Sequence, residues 1–83
     1  MAVRLHPYAK ERALERGATK AEIIATVEEG ERFPVKYGRV GFRRNFPFNS
    51  EWGGKHYLVK QVEAYAVEES EDWLVITVVT RYF

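Results

Sequence analysis

HPYAKERALERGATKAEIIATVEE, residues 6–29, splits into two helices at Arg16-Gly17-Ala18-Thr19, and that split decides the fold. Pro7 suits a first helical position because its missing N–H and fixed φ cost nothing there. The first helix is expected from Pro7 to Arg16, with Ala9, Ala13 and Leu14 as a narrow apolar stripe and Gly17 as a left-handed stop. Tyr8, Arg12 and Arg16 follow one another at i+4, so a phenol and two guanidinium groups share one side of it. Thr19-Lys20-Ala21-Glu22 is a capping box: the Thr19 hydroxyl accepts from the Glu22 N–H, and the Glu22 carboxylate accepts from the Thr19 N–H. The second helix is expected from Lys20 to Glu29, burying Ile23, Ile24 and Val27 and ending at Gly30.

On either side of this pair the pattern changes. Met1 to Leu5 has strand-like content but reads as a loosely held terminus. After Gly30 the apolar period becomes two, which predicts strands at Arg32–Tyr37, Arg39–Phe46, Lys55–Val67 and Trp73–Phe83. Pro34 demotes the first of these towards an edge. Pro47 to Gly54 reads as a connection and Glu68 to Asp72 as a hairpin. Leu74, Val75, Ile76, Val78 and Val79 make the last strand apolar on both faces, which places it inside the sheet. The expectation is an α+β fold over residues 1–83 as a single domain: two N-terminal helices on one face of an antiparallel sheet of about four strands.

Composition narrows the function classes. Of the 83 residues 46% are hydrophobic and 30% charged, a globular balance, with no Cys and two His, so neither a disulfide framework nor a structural zinc site is expected. No apolar run reaches membrane-span length and Met1–Leu5 is too short for a signal peptide, so a soluble cytoplasmic protein with no membrane partner is expected. The net charge of +1 hides a separation along the chain. Between Arg32 and Lys60 the basic residues Arg32, Lys36, Arg39, Arg43, Arg44, Lys55 and Lys60 face one acid, Glu51; Gln61 to Asp72 carries only acids, among them Glu63. Such a field either steers a polyanion to one side or is ordinary strand-surface charge. No P-loop, dinucleotide fingerprint, metalloprotease helix or nucleophile elbow occurs, so no cofactor and no metal are expected.

ERALERGAT, the E-I-I helix after it, the following G-E-R, a strand with G-R and a last strand through V-I-T-V resemble a small bacterial domain-of-unknown-function family related to the RelE, ParE and BrnT toxins. The family's first helix runs approximately H-A-x-x-R-x-x-x-R-G. Ala9, Arg12, Arg16 and Gly17 match it, whereas Tyr8 stands at the histidine position and His6 lies two residues upstream. The resemblance implies a RelE/barnase-like fold, a superfamily that contains endoribonucleases, and an antitoxin protein as partner.

RNA cleavage by 2′-hydroxyl attack needs a base, an acid and cations for the developing phosphorane. The candidate catalytic residues are Lys60, Arg81, Tyr82 and His6; the candidate RNA contacts are Arg12, Arg16, Lys36, Arg39 and Arg43. Each has a plainer alternative. His6 is also a helix cap, and Arg12 and Arg16 are also salt-bridge partners whose stems cover apolar surface. Two functions follow: a metal-independent endoribonuclease of the toxin type, which is preferred, and a non-catalytic RNA- or protein-binding module on the same fold.

Overall fold

A computed structural model describes the whole chain, Met1–Phe83. Its elements in order are β1 (Val3–Leu5), α1 (Pro7–Arg16), α2 (Lys20–Glu29), β2 (Glu31–Pro34), β3 (Val40–Trp52), β4 (Lys55–Glu69) and β5 (Asp72–Tyr82). Both helices fall where the sequence puts them, because their signals are local. His6 caps α1, its Nδ1 accepting from the Tyr8 N–H at 3.1 Å. Gly17 ends α1 at φ 76°, and the Thr19/Glu22 capping box is complete.

The strands form one sheet in the order β1-β5-β4-β3-β2. All neighbours are antiparallel except β1 and β5, which are parallel. The expected sheet of about four antiparallel strands is therefore corrected to a mixed sheet of five. The added strand is the terminus that read as loosely held. Trp73 N–H donates to the Ala2 carbonyl and His6 N–H to the Val75 carbonyl, both at 2.9 Å, and Arg4 reaches Glu69 at 3.2 Å. The expected interior place of β5 holds, with β1 supplying its second neighbour over Trp73–Val75.

A second correction concerns Pro47 to Gly54, which is strand as far as Trp52 rather than a connection. The two-residue turn is Gly53-Gly54, at φ 61° and 82°, the positive values that favour glycine. Val59 and Phe83 exchange both N–H···O bonds, so by alternation Phe46 bonds towards β4 and Pro47 aims its missing N–H at the open edge. β2 covers β3 only from Val40 to Arg43, so no ladder bond is lost there. The β4–β5 hairpin is likewise tighter than expected, with Ser70 and Glu71 at φ 51° and 69°.

The helices pack on one face. The core joins Ala9 and Ala13 of α1, Ile23 and Val27 of α2, and Phe42, Val62, Ala64, Trp73, Val75 and Val78 of the sheet. Alanine on both layers lets the helices lie close to the strands, and Phe42 and Trp73 meet edge-to-face at 5.1 Å. Truncating fully buried Ile23 to Ala is worth about 2–5 kcal/mol. Leu14, expected in the apolar stripe, is 84% exposed instead. The opposite face of β2 to β5 carries no helix.

Candidate functional site

Lys60 and Tyr82 meet on the helix-covered face, at the junction of α1 and α2. Lys60 Nζ donates to the Gly17 carbonyl at 2.8 Å and lies 2.8 Å from Glu22 Oε1. Tyr82 OH donates to the Arg16 carbonyl at 2.7 Å, beside the Thr80 hydroxyl at 2.9 Å. These groups satisfy carbonyls that the end of α1 leaves without helical partners. Arg16 in turn donates to the Val78 carbonyl. Trp52 stacks on Tyr82 at 5.0 Å, and a Cβ at Gly17 would stand 2.7 Å from a Trp52 ring carbon and 2.7 Å from the Tyr82 hydroxyl. Glycine is required there by sterics as well as by φ.

Two protonation equilibria record this packing. Partial burial works to raise the Glu22 carboxyl, but hydrogen bonds from Lys60 and from the Thr19 N–H outweigh it and hold the group below its ordinary value. Burial pushes the Tyr82 phenol up, so it stays a neutral donor.

Arg81 points to the other face, where it meets Arg43. Between them lies Glu63, only 3% exposed although no helix covers it. Glu63 Oε2 is 3.6 Å from Arg43 and 3.6 Å from Arg81, and Oε1 accepts from Tyr65 OH at 2.8 Å. Strand register builds the group: Arg43 pairs with Glu63, Arg81 with Gln61, and Tyr65 follows Glu63 by two residues on the same face. Phe33 supports it from β2, edge-on to Tyr65 at 6.0 Å and under the Arg43 guanidinium at 4.5 Å. Arg43 is further held by Glu31 at 2.9 Å, which keeps its proton bound beyond the ordinary arginine value. Burial, then the bond to Glu63, raises the Tyr65 phenol.

The remaining candidates lie apart. His6 is at the start of α1, about 15 Å along the helix from its end. Arg12 is satisfied on its own helix by Tyr8 OH at 2.8 Å and Glu15 at 2.7 Å. Lys36 and Arg39 flank the β2–β3 turn, exposed and without an ion pair. Of the four catalytic candidates the structure thus brings together Lys60 and Tyr82, puts Arg81 on the opposite face with Arg43, and leaves His6 alone.

Glu63 was missed by sequence reasoning, which counted it into an acidic tract. A usable signal was there. Gln61, Glu63 and Tyr65 alternate with Val62, Ala64 and Ala66, so a single carboxylate is set at mid-strand on the polar side of the longest strand.

A carboxylate with two guanidinium groups and a phenol can hold an oxyanion and exchange a proton with it. The two arginines sit at ion-pair rather than hydrogen-bond distance from Glu63, so N–H donors remain for a further anion. No group of three or more His, Cys, Asp or Glu side chains is arranged to hold a metal ion. No helix is long and apolar enough to cross a membrane. No family model, curated protein or solved structure matches this chain.

Proposed function

We propose that this is a cytoplasmic RNA-directed protein on a RelE/barnase-like scaffold, a metal-independent endoribonuclease of the toxin type whose reacting phosphodiester lies on the open sheet face. The observation that carries the reading is Glu63, buried on an uncovered face between Arg43 and Arg81. In this reading the 2′-hydroxyl attacks phosphorus and gives its proton to Glu63. Arg43 and Arg81 meet the charge on the phosphorane. The P–O5′ bond breaks as the leaving oxygen takes the proton of Tyr65, and Glu63 returns a proton to the phenolate across their 2.8 Å hydrogen bond. The products are a 2′,3′-cyclic phosphate and a 5′-hydroxyl.

Relative to the sequence reading, Arg81 keeps its role, while Lys60 and Tyr82 become the fastening of the helix pair. An antitoxin protein remains the partner that the resemblance implies. The test is mixed-sequence RNA incubated with the purified protein and a chelator, followed by analysis of the product ends. Cyclic phosphate ends from wild type and none from Glu63→Gln support the reading; cleavage that needs added metal, or that survives Glu63→Gln, overturns it. The second reading, a non-catalytic RNA- or protein-binding module, is favoured by the low exposure of Glu63 and by the commitment of Lys60 and Tyr82 to backbone carbonyls. RNA binding with no cleavage under any condition selects it.

A further inference from the structure

Leu14 is the apolar position of α1 that the fold does not use. It stands 84% exposed on a groove of about 430 Å³ lined by α1, the α1–α2 junction, the start of α2 and Leu5 of β1. Ala13 and Ala18, each barely exposed, form the floor over the fully buried Ile23, and Leu5 completes the apolar lining. The rim is basic: Lys10, one turn before Leu14, and Lys20, at the start of α2. Neither ammonium has an ion-pair partner, and no carboxylate lines the groove.

The geometry points to a docking site for an acidic amphipathic helix of a partner protein, which lays an apolar side chain against Leu14 over the alanine floor and sets carboxylates against Lys10 and Lys20. Small floor residues admit a large side chain, and two unpaired cations flanking an apolar slot select for acids on both sides of the anchor. The groove lies on the helix layer, away from Arg43, Glu63 and Arg81, so this site is independent of the RNA reading.

A display library of 20-residue helical peptides tests it, with one stripe drawn from Leu, Ile, Phe and Met and the other positions from Glu, Lys, Gln and Ser. Selection on the full chain is expected to enrich peptides of net negative charge. Binding of an enriched peptide, read by fluorescence anisotropy, should fall about 30-fold with Leu14→Glu, the loss typical of an interface anchor, and about 10-fold with Lys10→Glu/Lys20→Glu. RNA affinity should not change. Because Leu14 is exposed, both Leu14→Glu and the milder Leu14→Ala are expected to fold, and Leu14→Ala should give a smaller loss. Enrichment with no acidic bias, no enrichment, or affinity indifferent to Leu14 overturns the assignment. So does a wild-type dimer in sedimentation that Leu14→Glu dissociates, which gives the groove to a second copy, or a loss of RNA affinity in the double lysine variant, which gives it to nucleic acid.

Discussion

Lys60 and Glu63 lie three residues apart on the same strand, are almost equally buried at 6% and 3%, and face opposite sides of the sheet. Their surroundings make them different kinds of buried charge. Lys60 lies under the helix pair, with two of its three N–H donors taken by oxygens at 2.8 Å. Glu63 has one hydrogen bond at 2.8 Å and two cations held off at 3.6 Å, on a face that no helix covers. A buried charge held at hydrogen-bond distance by backbone and counter-ion fastens the structure, whereas one whose cations stand off and keep spare donors can take a ligand.

The sharpest way to break this contrast is to measure both sides by one activity. Removing a single preorganised donor at a developing oxyanion typically costs about 100- to 1,000-fold in rate, so Arg81→Ala should lose that much cleavage per folded molecule and Glu63→Gln at least as much. Single-turnover cleavage of a labelled RNA with chelator present is the readout. His6→Ala should lose only a helix cap, about 1 kcal/mol of stability, and leave the rate of the folded protein unchanged. If His6→Ala abolishes cleavage while Arg81→Ala does not, the open face is not the reacting site.

Lys60→Met makes the complementary cut. Breaking a buried ion pair costs about 3–5 kcal/mol, and because Glu22 retains some solvent contact the lower end, about 3 kcal/mol, is expected in urea unfolding. The folded fraction should keep its RNA affinity. Should Lys60→Met leave stability untouched and remove activity, Lys60 would belong to the chemistry and the contrast between the faces would fail.

What the sequence disclosed divides along the same line. The helices, the His6 cap, the Gly17 stop and the Thr19/Glu22 box were legible because each depends on residues within four positions of one another. β1 was not, since its pairing with Trp73–Val75 spans seventy positions of chain, and three residues carry no period of their own. Strand through Pro47 was not, because a proline is tolerated or excluded according to which edge its nitrogen faces, and that is settled only by the neighbour strand. The Arg43–Glu63–Arg81 group has the same origin. It spans three strands through two registers, so the alternation along β4 marks Glu63 as unusual without saying what it meets.

A smaller effect separates the two arginines of that group from the rest of the basic surface. Each phosphate neutralised on a single strand contributes about 0.7 to the slope of log affinity against log salt, so Arg43→Ala/Arg81→Ala should reduce the slope by about 1.4. Lys36→Ala/Arg39→Ala, altering the exposed β2–β3 turn, should reduce it by the same amount if the strand runs past that turn, and by nothing if RNA is confined to the site around Glu63. Fluorescence titrations at several salt concentrations read the difference. A slope indifferent to all four residues makes the positive segment a solvated surface.

The smallest expected effect is a pH dependence that belongs to the covered face alone. Glu22 has a folded-state pKa below its ordinary value, because the Lys60 and Thr19 hydrogen bonds outweigh its partial desolvation. A carboxyl whose pKa is depressed on folding binds its proton more readily in the unfolded chain. Its stabilising contribution is therefore fully present above the unfolded value, about 4.3, and is lost as pH falls through the lower folded value. Wild type should thus lose stability between roughly pH 5 and pH 3 more steeply than Glu22→Gln, which lacks the titrating group, and the two curves should run parallel above pH 6. Lys60→Met removes the main cause of the depression and should flatten the wild-type curve towards that of Glu22→Gln, while Arg43→Ala on the open face should not. Urea midpoints across this range read all four proteins. If Arg43→Ala flattens the curve and Lys60→Met leaves it steep, the acid-sensitive ion pair lies on the open face, and the charge beneath the helices is not what holds their junction.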